Sequence, residues 1–183
     1  MGQERSVDIQ NLRALIQSVE KPLDREHFFF SSVPTGIPKG TLVEITGPGK
    51  TEAVARFLSE NSNVRAAWIE DDLTVYPYAL LQRKVFLNRM LFIEARKEIF
   101  WAASQVLRSG IFECVVISFS RPFHERVIRR LQLEVEKANA GLFFLPAGCP
   151  LTHGRSWAVS MKLQAQKNSM DNFELHSLRE RGA

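Results

Sequence analysis

The stretch from Gly40 to Leu58, GTLVEITGPGKTEAVARFL, restricts most strongly what this chain can fold into. Its apolar first half predicts a strand that is covered on both faces. Gly47 and Gly49 flank a proline and predict a tight turn. The segment Thr51 to Glu60 then predicts a helix with one apolar face. A buried strand that turns directly into a helix favours an α/β fold.

The glycine turn looks like a nucleotide-binding P-loop that lacks part of its length. The P-loop spacing is G-x-x-x-x-G-K-[ST], because backbone N–H groups wrap the phosphates, the lysine reaches the terminal phosphate and the hydroxyl holds Mg²⁺. Gly49, Lys50 and Thr51 keep the end of this pattern, but Glu44 stands at the first glycine position and the nearest upstream glycine is Gly47. At roughly 3.3–3.6 Å per residue, the missing chain amounts to about 10 Å. We therefore expect no complete phosphate cradle.

What remains of the motif is a helix N-terminus that carries Lys50. Free N–H groups and the helix dipole attract anions there, but the dipole contributes only roughly 0.3–1 kcal/mol. A micromolar nucleotide site needs about 8 kcal/mol. A vestigial site for ATP and Mg²⁺ and a purely structural turn both stay open, and the candidate residues are Gly47, Gly49, Lys50 and Thr51.

The cysteines and histidines of the 183-residue chain do not form a recognisable metal or redox motif. Cys114 lies in an apolar run and Cys149 stands between Gly148 and Pro150, so neither has a metal-spaced or redox partner. We expect reduced, structural thiols, as in cytoplasmic proteins. The histidines at positions 27, 124, 153 and 176 lack ligand spacing, which argues against zinc.

The overall charge and the N-terminus bear on location and partners. The N-terminal segment mixes acidic and basic residues where a signal peptide needs an apolar core, and no run of about 18 apolar residues occurs. These features predict a soluble, cytoplasmic protein without a membrane span. The net charge of +4 allows loose attraction to nucleic acid or to an acidic protein without specifying either.

An amphipathic helix is predicted near the N-terminus, within a segment comprising residues 1–34 that precedes an α/β domain of residues 35–183. A stripe of this kind either covers its own domain or binds a partner, and both interpretations stay open. The Phe28–Phe30 run that follows predicts a short strand or a core plug rather than a recognition patch. The residues of the stripe are Ile9, Leu12, Leu15, Ile16 and Val19.

Strand and helix patterns alternate along the rest of the chain. Strands are predicted at RAAWIE, RMLFIEA, FECVVISFS and LFFLP, and helices over 79–87, 97–109 and 126–140. Two closing strands, RSWAVSMKLQAQ and NFELHSLRE, flank a turn over Lys167 to Asp171. This order predicts right-handed β-α-β units in a mainly parallel sheet that is flanked by helices and ends in an antiparallel strand pair.

The order of these elements resembles a RecA-like core over roughly residues 35 to 181. GIPKGTLVEITGPGKTEAVARFL is similar to the RecA stretch through the Walker A loop, and VLRSGIFECVVIS is similar to the helix and strand that end in the Walker B aspartate. RAAWIEDDLTVYP and SWAVSMKL look like a second and a late RecA strand. Within that superfamily the chain is most similar to the ImuA family of accessory proteins of damage-induced mutagenesis, through EIFWAASQVLRSGIFECVVIS, RRLQLEVEKANAGLFFL and FELHSLRERGA.

The chain departs from the RecA pattern where that family holds Mg²⁺ and its catalytic carboxylate. Ser118 stands at the position of the Walker B aspartate and cannot anchor a metal-bound water as a carboxylate does. Asp72 stands at the position of the catalytic glutamate, beside Glu70 and Asp71. Mutual repulsion in this acidic cluster is one way to poise a catalytic base, but a solvated turn at the end of a strand is the interpretation we favour.

The DNA-binding loops of the RecA family also look lost. SFSRPFHERVIRR passes almost at once into a helix, and only a short segment separates LFFLP from SWAVS. Arg126, Arg129 and Arg130 lie on adjacent turns of the predicted helix, close to Arg121. They predict either a solvated face or a docking surface for an acidic partner or DNA. No aromatic residue for base stacking interleaves them in the sequence.

The resemblance implies a catalytically inactive RecA-like adaptor in SOS-linked translesion DNA synthesis. Its partners would be an inactive Y-family polymerase-like protein and RecA, and its contact with DNA would be weak or indirect. The stripe around Leu12 and the arginine helix are the candidate partner surfaces. Two alternatives stay open: a nucleotide-dependent RecA-like ATPase or recombinase that uses Lys50, Thr51 and Asp72, and a SulA-like inhibitor of cell division.

Overall fold

A computed structural model describes residues 26–121, 123–147, 158–168 and 173–180 of the chain. The predicted N-terminal stripe and Cys149 lie outside these residues. The helices are α1 (Lys50–Glu60), α2 (Pro77–Gln82), α3 (Ile99–Ser109) and α4 (Glu125–Ala138), with 3₁₀ turns at Leu87–Arg89 and Arg96–Glu98. The strands are β1 (His27–Phe28), β2 (Ile37–Pro38), β3 (Thr41–Thr46), β4 (Ala66–Glu70), β5 (Met90–Glu94), β6 (Cys114–Phe119), β7 (Gly141–Pro146), β8 (Met161–Lys167) and β9 (Phe173–Glu180).

Within the described residues, seven strands form one sheet in the order β5-β4-β6-β7-β3-β8-β9. All neighbours pair in parallel except β8 and β9, which are antiparallel. The prediction of a mainly parallel α/β sheet with a late antiparallel pair is therefore confirmed. Because parallel strands share their direction, the carboxyl ends of β3, β4, β6, β7 and β8 meet at one edge of the sheet.

Helices cover both faces of the sheet, which explains why its central strands are apolar without alternation. Helix α1 packs on one face, where Phe57 lies in the same core as Val43, Trp68 and Phe143. Helices α3 and α4 pack on the other face, against side chains that include Ile117 and Phe144. A groove between α3 and α4 therefore lies on the opposite side of the sheet from the glycine turn and α1.

The Phe28–Phe30 run forms a core plug, as the sequence predicts. Strand β1 pairs with β2 in an antiparallel ladder, and Phe28 and Phe30 are buried while Phe29 is exposed. Both buried rings make edge-on contacts with Phe57 of α1, at centroid distances of 5.6 Å. This short ladder therefore packs the chain before β3 against Phe57 of α1.

Several element boundaries differ from the sequence prediction, among them those of α2, α3 and β8. Helix α2 begins at Pro77, and proline is a favoured first helical residue. The helix ends before Lys84, which adopts a left-handed φ of 65° although it is not a glycine. The helix predicted over 97–109 begins as a 3₁₀ turn and becomes α-helical at Ile99. Strand β8 begins at Met161, and the described residues before it are not strand. No described helix is both long enough and apolar enough to cross a lipid bilayer.

Candidate functional site

The glycine turn lies at the carboxyl edge of the sheet, between the ends of β7 and β8. Strand β3 pairs with β7 on one side and with β8 on the other. Residues 47–49 join β3 to α1, and Gly49 is the N-cap, whose carbonyl accepts the first helical hydrogen bond from Ala53 at 2.9 Å. Open α/β sheets bind ligands at this edge, so a nucleotide site, if present, is expected at the turn.

The turn is closed against β8. Gly47 has a φ of +93°, and a Cβ at this position would lie 2.2 Å from the carbonyl oxygen of Ala165. The N–H of Gly49 donates to that same carbonyl at 3.4 Å, and the N–H of Lys50 donates back to the carbonyl of Gly47 at 3.3 Å. Two amides that a P-loop would offer to phosphate are therefore directed to the protein's own backbone.

Lys50 also has a partner within the protein. Its ammonium donates to the carbonyl of Pro146 at the end of β7. Burial lowers the pKa of Lys50, and the negative charge of Glu70 opposes that shift. Thr51 is exposed on the first turn of α1. The lysine therefore links the glycine turn to β7, rather than extending over an open loop.

Ser118 lies in β6 at the register position between Glu70 of β4 and Leu145 of β7. The strand alternation places Ser118 on the same face as Val116, which belongs to the α1 side of the sheet. A hydroxyl therefore stands on the face where the Walker B carboxylate would stand in a RecA-like site.

Glu70 is buried and serves as an acceptor for the turn that follows β4. Its Oε1 accepts the indole N–H of Trp68 at 3.0 Å. Its Oε2 accepts the N–H of Val75 at 2.9 Å, the hydroxyl of Thr74 at 3.1 Å and the N–H of Thr74. A carboxylate with this many donors is held in place and stabilises the turn over residues 71–75.

The other two carboxylates of the acidic cluster do not converge with Glu70. Asp71 accepts the N–H and the hydroxyl of Ser120 at 3.3 and 3.1 Å, and so ties the end of β4 to the end of β6. Asp72, the expected counterpart of the catalytic glutamate, is exposed. Among the described residues, no group of three or more His, Cys, Asp or Glu side chains is arranged to hold a metal ion.

These residues do not fit a Mg²⁺-bound triphosphate as a P-loop holds it. The turn is short and lies against β8, its amides and its lysine have backbone partners, and the Walker B position carries Ser118. The turn instead joins three strand ends, since Gly47 and Gly49 contact β8 and Lys50 contacts β7.

A second candidate site is a groove of about 660 Å³ between α3 and α4. Helix α3 contributes Trp101, a residue that is 63% exposed. The floor includes Phe100 and Leu131. The charged and polar residues that line the groove are Lys97, Glu98, Ser104, Gln105, Arg108, Arg126, Arg130 and Glu134.

Glu134 is the centre of the ion pairs in this groove. Its Oε1 accepts from Arg108 of α3 at 2.7 and 3.2 Å, and Arg130 of α4 approaches to 3.5 Å. Burial alone would raise the pKa of Glu134, but the nearby Ser104 hydroxyl, the hydrogen bonds from Arg108 and the charges of Arg108 and Arg130 outweigh it and hold the pKa below its usual value. Glu134 therefore stays ionised at neutral pH and joins the two helices.

The structure separates the three arginines that the sequence places together on α4. Arg126 and Arg130 line the groove, whereas Arg129 does not, and instead donates to Gln132 at 2.6 Å. No aromatic residue interleaves these arginines along the sequence, but the fold brings Trp101 into the same groove. The sequence could not reveal this, since Trp101 belongs to α3 and reaches the arginines only through the packing of α3 on α4.

A buried ion pair in the middle of the sheet was also not anticipated. Glu44 of β3 is fully buried and lies opposite Lys162 of β8, with the carboxylate and ammonium 2.8 Å apart. The residue that replaces the first P-loop glycine therefore has a structural partner on the strand against which the turn is closed.

Comparisons with known proteins do not add a family assignment. No protein-family model matches the chain, and a search of curated proteins finds no match.

Proposed function

We propose that this chain is a catalytically inactive RecA-like adaptor in SOS-linked translesion DNA synthesis. The proposal rests on the similarity of its motifs to the RecA-like superfamily and to the ImuA family within it. A mainly parallel, helix-covered sheet that ends in an antiparallel pair is compatible with that similarity. Its place of action would be the cytoplasm, and its partners would be an inactive Y-family polymerase-like protein and RecA.

The observation that carries the proposal is the closure of the glycine turn on β8. A RecA-like motor needs its loop amides and lysine for phosphate, and here Gly49 and Lys50 use theirs on the carbonyls of Ala165, Gly47 and Pro146. To admit a triphosphate, the turn would have to leave β8 and lengthen. An adaptor needs only the fold and its surfaces, and so tolerates a turn of this kind.

Calorimetric titration with Mg-ATP and Mg-ADP tests the absence of a working nucleotide site. We expect no binding heat at millimolar nucleotide, either for the natural chain or for Lys50→Ala. Micromolar binding that is lost in Lys50→Ala would overturn the inactive assignment and favour the ATPase alternative. A urea-unfolding curve on each protein establishes that the compared samples are folded.

Partner capture tests the adaptor role directly. The purified full chain is immobilised and offered the polymerase-like protein and RecA separately, with Leu12→Asp/Ile16→Asp as the test variant and Lys167→Glu, at an exposed position outside both candidate surfaces, as the control. We expect the double variant to lose capture while the control retains it. Failure of the natural chain to bind either protein would reject the proposed partners.

A further inference from the structure

We propose that the groove between α3 and α4 binds single-stranded nucleic acid, with the indole of Trp101 stacking on a base and Lys97 and Arg126 contacting phosphates. The inference goes beyond the adaptor function. The proposed groove lies on the opposite side of the sheet from the glycine turn. Binding there requires neither ATP in the glycine turn nor a protein partner.

The charges of the groove favour an anionic ligand. Four basic side chains line it, at positions 97, 108, 126 and 130, against two acidic ones, at positions 98 and 134. Arg108 and Arg130 are held by Glu134. Among the described residues, Lys97 and Arg126 have no ion-pair partner. These two cations, one from the 3₁₀ turn before α3 and one from α4, are therefore available to phosphates along the groove.

Trp101 gives the groove a stacking surface. Its neighbour Phe100 packs on Phe123 at a centroid distance of 4.1 Å, while Trp101 as a residue stays 63% exposed. An exposed aromatic ring beside unpaired cations is the combination by which proteins hold single strands without reading their sequence. A duplex would leave the indole unused, since its bases are already stacked.

The same features fit the anchor of a protein–protein interface less well. Tryptophan and arginine are common in such anchors, but they lie at fully desolvated centres, and lysine and glutamate are depleted there. In this groove Lys97 and Glu98 stand next to Trp101 on the 3₁₀ turn that leads into α3. Nucleic acid is therefore the occupant that the charge distribution favours.

Fluorescence anisotropy with a labelled oligothymidylate of about 15 nucleotides tests the proposal on the full chain. At about 50 mM salt we expect saturable binding that weakens as the salt concentration rises. The logarithm of the association constant should fall with the logarithm of the salt concentration with a slope near −1.4, because each of two neutralised phosphates contributes about −0.7. Trp101→Ala should weaken binding roughly tenfold through lost stacking. Lys97→Glu/Arg126→Glu should abolish binding, while Arg129→Glu, on α4 but outside the groove, should change it less than twofold.

Glu134→Gln provides a gain-of-binding test. The amide no longer neutralises Arg108 and Arg130, so both become available to phosphate, and we expect tighter binding with a steeper salt slope. Tighter binding is not expected if Trp101 and the arginines serve only to hold α3 and α4 together, because Glu134→Gln weakens the ion pairs between these helices.

Three outcomes would overturn the proposal. The first is no binding of oligothymidylate by the folded natural chain at low salt. The second is equal weakening by Arg129→Glu and by the groove variants, which would indicate diffuse charge attraction. The third is full competition by an oligoglutamate peptide together with unchanged affinity in Trp101→Ala, which would make the groove a site for acidic peptides. None of these outcomes depends on partner capture or on ATP, so the adaptor proposal is judged separately.

Discussion

Gly47 and the carbonyl of Ala165 are in such close contact that no side chain fits between them, because a Cβ on Gly47 would lie 2.2 Å from the oxygen. A left-handed residue with a Cβ costs roughly 1–2 kcal/mol, and the clash with backbone adds to this. We expect Gly47→Ala to lower the free energy of unfolding by about 3 kcal/mol. Urea unfolding followed by circular dichroism measures it.

Gly110 is the matched control for this substitution. It ends α3 with a φ of 65°, but no atom outside its neighbourhood lies within 4 Å of an added Cβ. Gly110→Ala should therefore cost only about 1 kcal/mol. Equal losses in the two variants would mean that the contact with β8 contributes nothing beyond the backbone conformation.

Removal of the Glu70 carboxylate should destabilise the turn after β4. Glu70→Ala leaves the indole N–H of Trp68 and the N–H of Val75 without their acceptor, and each unsatisfied buried donor costs about 1–3 kcal/mol. We expect a loss of about 3 kcal/mol in the free energy of unfolding. Glu70→Gln, which keeps one carbonyl oxygen, should lose less. Asp72→Ala is the control, and a loss there as large as in Glu70→Ala would argue against this role of Glu70.

The buried pair of Glu44 and Lys162 should show strong coupling. Lys162→Met leaves the Glu44 carboxylate in the sheet without its ammonium, and breaking a buried pair in this way costs about 3–5 kcal/mol. Because Lys162 is 19% exposed, we expect the lower end, about 3 kcal/mol. Glu44→Leu/Lys162→Met should recover most of the lost unfolding free energy, because two well-packed apolar side chains can replace a buried ion pair without loss of stability.

A double-mutant cycle from urea-unfolding free energies measures that coupling. Lys167→Met is the control, since Lys167 is exposed at the end of β8, the strand that carries Lys162. It should change the free energy of unfolding by less than about 0.5 kcal/mol. Additive losses in the double variant would show that Glu44 and Lys162 do not depend on each other.

The strand and helix pattern was readable from the sequence because the central strands are buried on both faces. CVVISF and GLFFLP carry continuous apolar runs, and their alternation with helical stripes predicts a parallel sheet. The end of α2 was not readable, since the left-handed residue that stops it is Lys84 rather than a glycine. Local signals therefore located the elements but not all of their boundaries.

The candidate site was predicted only in part, because its geometry depends on contacts between distant segments. The short turn around Gly47 and Lys50 was recognised from spacing alone, but its closure on Ala165 depends on the pairing of β3 with β8. Glu44 gave no signal of burial because a charged residue in a strand is usually exposed. Trp101 looked unrelated to Arg126 because α3 and α4 are separated along the chain by β6.

Acid should selectively remove the contribution of Glu134 to stability. The folded-state pKa of this carboxyl lies below its ordinary value of 4.5, since the nearby Ser104 hydroxyl, the hydrogen bonds from Arg108 and the positive charges of Arg108 and Arg130 outweigh the effect of burial. The charged form therefore stabilises the fold above about pH 4.5, and that contribution is lost as pH falls through the folded-state pKa.

A glutamine at position 134 does not titrate, whereas the Glu134 carboxylate takes up a proton in acid. The difference in unfolding free energy between the natural chain and Glu134→Gln should therefore be largest at neutral pH. Because the paired arginines are more than half exposed, we expect a gap on the order of 1 kcal/mol that shrinks steadily as the pH falls from about 5 to about 3. Urea unfolding of both proteins across that range measures it. The gap should also shrink in an Arg108→Gln background, because Arg108 is one source of the shift. A gap that is constant with pH, or that widens in acid, would contradict the assignment of Glu134 as the charged joint between α3 and α4.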